Sequence, residues 1–262
     1  MQITTIKTRP MVPPQDDLYQ VLGESLPKIE ERSVVVVTSK VVAIHQGRCV
    51  PLSTGIEREE LAKKEADWYV DKDIVPGQFI MFTRKHNILI ASGGIDKSNA
   101  KEHMILWPKG PMTAAKEIYE WIKARDKVKE LGVIMTDSHV VMMRRGTQGI
   151  AIGHWGFNPV RDYRGRPDIF GRKLVVQTAN VADSLATAAV LEMGEGQEQT
   201  PLAIITGIKE IEFSEDPKTI EGKPTFSIPL AEDLFEPMLA AVPWQKGQGG
   251  LTDEEVEEMK KG

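Results

Sequence analysis

The stretch GVIMTDSHVVMMRRG, residues 132–146, places a carboxylate, a hydroxyl and an imidazole side by side at Asp137, Ser138 and His139. A hydroxyl next to an imidazole suggests a nucleophile with its base. Successive side chains of an extended segment point to opposite faces, however, so Ser138 and His139 cannot pair in that way within a strand. An aspartate directly after a buried apolar run offers hard oxygen ligands and is costly to leave without a cation or hydrogen-bond donors. We therefore predict that Asp137 binds a cation.

Two further acids occupy turns that could meet the first. Asp96 lies in SGGIDKSN, where two glycines let the backbone approach a ligand and Ser98 and Asn99 add neutral polar groups. Glu195 lies between two glycines in MGEGQEQTP. Three carboxylates on separate turns are typical of a divalent-metal site, and the lack of clustered histidines favours Mg²⁺ or Mn²⁺ over zinc. For each acid taken alone, the alternative is a turn or helix cap.

The segment PVRDYRGRPDIFGRKL, residues 159–174, concentrates positive charge at Arg161, Arg164, Arg166 and Arg172. These arginines predict either a clamp for phosphate groups or a solvated loop with local aspartate partners. In a chain of net charge -5, such a concentration favours an anionic ligand. His154 and Trp155 are interpreted as packing residues. The residues alone thus indicate a magnesium-dependent enzyme that acts on a phosphorylated compound.

The composition of the 262 residues excludes several classes of protein. With 41% hydrophobic and 27% charged residues and a net charge of -5, the chain is unlike a general nucleic-acid binder, which carries excess Lys and Arg on one face. Cys49 is the single cysteine, so neither an internal disulfide nor a thiolate zinc site is expected. The first residues lack the apolar core of a signal peptide, and no apolar run approaches the roughly 20 residues of a membrane span. We predict a cytoplasmic protein without membrane or nucleic-acid partners.

The elements that must position these side chains follow from local patterns. Short apolar runs rich in β-branched residues predict strands in 33–44, 86–96, 131–137, 173–178 and 202–208, the first of them interrupted at Ser39 and Lys40. Helical spacing predicts helices in 56–70, 112–128 and 180–194, the last ending at Gly194. Strands and helices alternate without a strict βαβ rhythm, which favours an α+β fold with mixed sheets over a doubly wound one. Neither a Walker A motif nor a G-x-G-x-x-G fingerprint is found.

The C-terminal segment differs in composition from the rest. Gly247, Gly249 and Gly250 precede a capping box formed by Thr252 and Glu255. We predict a main domain over residues 1–245, with two lobes as an alternative, followed by a flexible linker and a short terminal helix over 246–262.

The order of the motifs resembles the coenzyme F420-0:L-glutamate ligase family over about residues 5 to 210. The matching motifs are VVVVTSKVVAIHQGR, GGIDKSN, GVIMTDSH with RRG, GIAIG, DYRGRPDIFGR, VADSLATAA and MGEGQEQTP. The resemblance implies an enzyme that forms a γ-glutamyl amide on a small carboxylate, using GTP as co-substrate, two divalent cations, Mg²⁺ or Mn²⁺, and a monovalent cation such as K⁺. It also implies an intertwined homodimer of an α+β fold, with largely antiparallel mixed sheets and packed helices.

The resemblance assigns roles to particular residues. Positions of the family's metal ligands are occupied by Asp96, Asp137, Ser138 and Glu195, with Ser138 where a threonine is usual. Positions of its nucleotide site are occupied by Arg9, Pro10, Met11, Val12, Ser39, Lys40, Asn99, Met193, Gly194, Gly196 and Gln197. Catalytic roles are implied for Asp96, Asp137 and Arg144.

Two departures from the family pattern bear on the substrate. Ile44 stands where the family commonly has a lysine, and Val140 and Val141 stand where it has Gly-Arg. The loss of two charge-assisted hydrogen bonds would weaken the binding of an anionic ligand by roughly two to four powers of ten. We therefore expect poor use of the phosphodiester-bearing F420-0 and a preference for another carboxylate, such as a folate. A catalytically silent nucleotide-binding relative is the alternative.

Overall fold

The computed structural model describes residues 1–77, 80–215, 219–220, 223–224 and 227–261. The helices are α1 (Leu18–Ser25), α2 (Ser39–His45), α3 (Arg58–Glu65), α4 (Pro111–Asp126), α5 (Val181–Met193), α6 (Glu236–Ala240) and α7 (Asp253–Lys261). The strands are β1 (Gln2–Ile6), β2 (Ser33–Thr38), β3 (Cys49–Pro51), β4 (Trp68–Val70), β5 (Phe82–Lys85), β6 (Ile88–Ala91), β7 (His103–Ile105), β8 (Leu131–Val140), β9 (Thr147–Trp155), β10 (Val160–Asp162), β11 (Thr178–Asn180), β12 (Leu202–Thr206), β13 (Thr219–Ile220), β14 (Lys223–Pro224) and β15 (Gln245–Lys246). Within these described ranges, every helix is too short or too polar to cross a bilayer.

The main sheet has five strands in the order β1-β12-β2-β8-β9. Only the β2–β8 pair within it is parallel, and its other neighbours pair antiparallel. A second sheet, in the order β15-β4-β5-β6, is antiparallel throughout. The predicted α+β class with mixed, largely antiparallel sheets and packed helices is confirmed.

The alternating valines of β2 explain why both faces of the main sheet are covered. Val35 and Val37 belong to the cluster that includes the apolar face of α4, whereas Val34 and Val36 pack with α5 on the opposite side. All four valines are fully buried. Each contributes roughly 1.5 to 3 kcal/mol by leaving water, so β2 holds the two helical layers together.

Strand β8 runs further than the sequence predicted. Its register against β9 shifts between Met135 and Thr136, and pairing then continues to Val140. The prediction that Asp137 stands at the end of its strand, where a turn begins, was therefore wrong: Asp137 and Ser138 lie within β8, just beyond this register shift. The extra residue is Ile152 of β9, and a bulge of this kind increases the local twist of the two paired strands.

Three predicted elements required correction. After the predicted interruption at Ser39 and Lys40 the chain does not form a second stretch of strand, because α2 begins at Ser39 directly after β2 and buries Val41, Val42 and Ile44. Those residues favour strands locally, and packing against the main core overrides the preference. The predicted helix 56–70 ends at Glu65, and its last residues form β4.

The predicted buried strand 173–178 was also wrong. Val175 and Val176 are 75% and 83% exposed. The segment forms an isolated bridge between Pro167 and Lys173, and strand β11 begins only at Thr178, where it pairs with β10. An apolar run alone does not distinguish a buried strand from an exposed apolar loop. The helices predicted in 112–128 and 180–194, by contrast, are confirmed as α4 and α5.

A buried ionic cluster joins the second sheet, through Lys85 of β5, to the C-terminal segment. Glu65 is paired with Arg48, Nη2 to Oε1 2.7 Å, and with Lys85 through its other oxygen. Arg48 also donates to the carbonyl of Leu251, and Glu65 accepts from the Leu251 amide. Residues 247–250 bond to backbone carbonyls at the end of α3. The segment predicted as a flexible linker is thus hydrogen-bonded to residues next to the second sheet. The division of the chain into domains stays a prediction.

We expect Glu65→Gln to lower the free energy of unfolding by at least about 2 kcal/mol, because it leaves two buried cations without a countercharge. Urea denaturation followed by circular dichroism measures the change. The control is Glu130→Gln, since Glu130 forms an exposed pair with Arg32 and exposed pairs contribute about 0 to 1 kcal/mol. Equal losses in the two variants would contradict a structural role for the cluster.

Candidate active site

A cavity of about 520 Å³ opens where five distant segments of the chain meet. These segments are the loop after β1, the start of α2, the turn after β6, the part of β8 beyond the register shift, and the loop between α5 and β12. They bring together almost all of the predicted site residues: Arg9, Pro10, Met11, Val12, Ser39, Lys40, Asp96, Asn99, Asp137, Ser138, Met193, Gly194, Glu195, Gly196 and Gln197. Ile44 also lies in the cavity wall.

Asp137 is the most constrained carboxylate of the cavity. Its Oδ1 accepts a hydrogen bond of 2.8 Å from the Ser138 amide, and its Oδ2 accepts one from the indole Nε1 of Trp107. Burial raises the pKa of Asp137 to about 6, and the negative charge of Asp96 adds to this effect. Burial and the nearby charge of Asp96 thus both oppose ionisation of Asp137.

Asp96 has a different electrostatic environment because it has a cationic partner. Lys40 Nζ lies 2.7 Å from Asp96 Oδ2, and Ser98 donates its amide to Oδ1 and its hydroxyl to Oδ2. Burial alone would raise the pKa of Asp96, but the Lys40 charge and these hydrogen bonds outweigh it, so the pKa lies below its ordinary value. Lys40 also donates to the Ser98 carbonyl, 2.7 Å away, which orders the turn that carries Asp96.

The third acid comes from the loop between α5 and β12. Ser138 donates its hydroxyl to Glu195 Oε1 at 2.7 Å, so this loop is joined to β8. Asn99 donates its side-chain amide to the carbonyl of Gly196 at 2.8 Å, which joins the same loop to the turn after β6. Gly194 ends α5 with a φ of +80°, a backbone conformation that residues with a side chain rarely adopt.

The ionisable residues of the cavity wall do not make it basic. The cations are Arg9, Lys40 and Lys101, and the acids are Asp96, Asp137, Glu195 and Glu198, which leaves a formal charge of 3 − 4 = −1. Arg9 is further engaged by Asp16 through bonds of 2.6 and 2.9 Å. A nucleotide or another anion would therefore need added positive charge to bind here.

The donor atoms fit a hard divalent cation. They are carboxylate and hydroxyl oxygens of Asp96, Asp137, Ser138 and Glu195, which are the ligand types that Mg²⁺ and Mn²⁺ select. Among the residues that the structure describes, no three His, Cys, Asp or Glu side chains already converge as a closed metal site. Assembly of the site would therefore need side-chain movements, and the metal-ligand assignment stays a prediction.

Several predicted residues lie elsewhere. Arg144 is exposed in the turn between β8 and β9 and donates to the Met143 carbonyl, so the structure does not bring it to the cavity. Val140 is 54% exposed beside this turn. Neither Val140 nor Val141 belongs to the described residues that line the cavity.

The arginine-rich segment 159–174 forms a loop with local partners, as in the second interpretation of its sequence, and not a phosphate clamp at the cavity. Arg161 donates to the carbonyls of Lys209 and Glu210, and Arg164 pairs with Asp162 at 2.8 Å. None of the segment's described residues lines the cavity. His154 lies in the core beside Phe157, where burial lowers its pKa to about 4, in agreement with a packing role.

Sequence reasoning missed Trp107, Lys101 and Glu198. Lys101 and Glu198 line the cavity from turns next to predicted motifs, and a wider window around those motifs would have included them. Trp107 lies in an apolar stretch of ordinary composition, and only the folded chain places its indole against Asp137.

Comparison with known proteins gives a consistent result. The model of a family described as F420-0:Gamma-glutamyl ligase matches residues 6–207. A coenzyme F420:L-glutamate ligase of Methanopyrus kandleri is 31% identical over 237 residues, which cover 83% of this chain and 92% of the relative. Proteins of the same name from Haloarcula marismortui and Methanocaldococcus jannaschii are 32% and 33% identical, over 78% and 68% of this chain and 86% and 77% of the relatives.

Proposed function

The chain belongs to the F420-0:gamma-glutamyl ligase family, and we propose that it is a ligase that joins glutamate to a small carboxylate in a nucleotide- and divalent-metal-dependent reaction. The carrying observation is the cavity in which three predicted acids from separate segments meet the predicted nucleotide residues. GTP is the proposed co-substrate. The acceptor is a carboxylate of the F420-0 or folate type.

The reaction must make a carboxylate reactive towards an amine. A carboxylate oxygen of the acceptor attacks the terminal phosphorus of the nucleotide, the bond to the nucleoside diphosphate breaks, and an acyl phosphate forms. The α-amino nitrogen of glutamate then attacks the acyl carbon and loses a proton, and inorganic phosphate leaves with one oxygen of the original carboxylate. One amide is formed for each nucleotide cleaved.

The chain's own residues would orient these groups. Residues 9–12, Ser39, Lys40 and the loop 193–200 surround the space proposed for the nucleotide, and the Lys40 ammonium can contact phosphate oxygens from its place beside Asp96. Asp96, Asp137, Ser138 and Glu195 would hold the divalent cations. Bound there, Mg²⁺ or Mn²⁺ would neutralise charge on the phosphate oxygens and hold the acceptor carboxylate in line. A K⁺ requirement stays a prediction.

The retained acids favour an enzyme over a catalytically silent relative. Asp137 carries a pKa raised to about 6, since burial and a second carboxylate oppose its charge. A protein that only bound a nucleotide would gain little from such an arrangement, because placing like charges together costs stability.

Phosphate release provides the first test of the proposal. Purified protein with GTP or ATP, Mg²⁺, glutamate and a panel of carboxylates should release phosphate only when both an acceptor and an amino acid are present. Nucleotide binding without acceptor-dependent phosphate release from any member of the panel would favour the silent relative.

We also propose that the chain forms a homodimer, because the loop between β10 and β11 exposes apolar side chains. Ile169 and Phe170 are 92% and 89% exposed, and Val175 and Val176 of the same loop are 75% and 83% exposed. Such a patch on a projecting loop is typical of a surface that another chain covers.

Light scattering at micromolar concentration should give about twice the monomer mass of 29.2 kDa. Phe170→Asp should shift the mass to that of the monomer, because a buried unpaired charge opposes association. Leu234→Asp is the control, since Leu234 is 86% exposed on another segment. A monomeric mass for the unaltered protein would contradict the dimer.

A further inference from the structure

Trp107 is buried between strand β8, which carries Asp137, and the turn after β6, which carries Asp96. The residue is 1% exposed and lies between β7 and α4. Its Nε1 donates to Asp137 Oδ2. Its backbone carbonyl accepts from Arg48 Nε at 3.3 Å, so the residue is also anchored to the buried ionic cluster. Trp107 is not among the described residues that line the cavity.

The turn that carries Asp96 is shaped to admit the indole ring. A Cβ placed on Gly94 would lie 2.2 Å from Trp107 Nε1, and Gly94 has a φ of +79°. The His86 ring is parallel to the indole within 8°, with the ring centroids 6.3 Å apart. The indole is therefore confined between the turn, His86 and Asp137, and its N–H group has little freedom to choose another acceptor.

The consequence for Asp137 is a fixed carboxylate plane. The Ser138 amide holds Oδ1 and the Trp107 indole holds Oδ2, so rotation about the Cβ–Cγ bond would break a bond at each oxygen. Each oxygen can accept a second interaction, and Asp137 is among the residues that line the cavity. Donors behind a metal-ligating carboxylate typically raise the affinity of the site by fixing its orientation.

We propose that Trp107 is a positioning residue that holds the Asp137 carboxylate in the orientation required for divalent-cation binding. The inference rests on the proposed function, since it takes Asp137 to be a cation ligand. It assigns a role to a side chain outside the ligand set, and that role depends on one N–H group.

The test measures binding of Mn²⁺ alone to the full chain by isothermal titration calorimetry. Trp107→Phe should weaken Mn²⁺ binding about ten- to a hundredfold, the usual effect of losing such a donor. Replacement of Trp107 by 3-benzothienylalanine, which keeps the ring shape and lacks the N–H, should weaken it by a similar factor while the melting temperature changes little. Trp121→Phe is the matched control, since Trp121 packs with Tyr19 and Arg125 outside the cavity.

The outcomes separate this inference from the proposed function. Mn²⁺ binding to the unaltered protein that is lost in Asp137→Asn but unchanged in the benzothienyl variant would overturn the role of Trp107 and leave the metal site standing. Absence of Mn²⁺ binding to the unaltered protein would overturn both. The result that we expect is a weaker Mn²⁺ affinity in both Trp107 variants and an unchanged affinity in Trp121→Phe.

Discussion

Asp137→Asn is expected to reduce the rate of glutamate-dependent amide formation by about a thousandfold, with Mn²⁺ affinity falling in parallel. The substitution removes a charge from the most enclosed carboxylate of the cavity while keeping its shape. Loss of one charged partner in such an environment costs about 3 to 5 kcal/mol, or roughly two to four powers of ten in an equilibrium constant. Initial rates and calorimetry on the same preparations measure the two effects.

The fold should tolerate this change. Asparagine retains an oxygen that can accept from Trp107 or from the Ser138 amide, and it relieves the repulsion from Asp96 that helps to raise the pKa of Asp137. The melting temperature is therefore expected to stay the same or rise. Asp162→Asn, on an exposed turn with Arg164, should change neither rate nor affinity. Full activity in Asp137→Asn would remove this residue from the proposed site.

The second large effect concerns the acceptor. Ile44 lies in the cavity wall, where it offers no charge to an anionic group. A missing charge-assisted hydrogen bond weakens binding by about 1.5 to 3 kcal/mol, roughly one to two powers of ten. We expect the specificity constant for F420-0 to be at least tenfold below that for a folate, measured side by side with GTP, glutamate and Mn²⁺. Val140 and Val141 do not reach the cavity, so they add nothing to this estimate.

Ile44→Lys tests the reason for that preference. The long stem of a lysine can follow the apolar wall while its ammonium reaches into the cavity, so use of F420-0 should improve about tenfold or more. Ile44→Met has a similar reach without the charge and should leave the preference unchanged. Efficient glutamylation of F420-0 by the unaltered protein, at about 10⁴ M⁻¹s⁻¹ or above and in excess of folate, would show that Ile44 does not select the acceptor.

The predictable parts of the fold are those with a local signal. Helix α5 was predicted with its end because its apolar spacing stops at Gly194, whose φ of +80° the structure then shows. Helix α2 was not predicted, because Val41 and Val42 favour strands locally and only packing against α1 and the main sheet makes them helical. The apolar run 173–178 failed for a related reason, since its composition does not reveal what covers it.

The candidate site also has parts that the sequence predicts and parts that depend on the folded chain. Asp96, Asp137 and Glu195 could be selected from sequence because acids beside glycines and buried strands are unusual enough to require a reason. Their electrostatic differences could not be predicted, since they depend on Lys40 lying against Asp96 and on Trp107 lying against Asp137. Arg144 was selected through the resemblance of its RRG motif to the family pattern, and the hairpin turn carries it away from the cavity.

The central claim is that this chain activates a carboxylate as an acyl phosphate before an amide forms. An acceptor with ¹⁸O in its carboxylate, incubated with the protein, GTP, Mg²⁺ and glutamate, tests this directly by mass spectrometry of the released phosphate. The account predicts one ¹⁸O atom in phosphate for each amide formed, with the transfer lost in Asp137→Asn. Amide formation that leaves the phosphate unlabelled, or that proceeds without nucleotide, would contradict it.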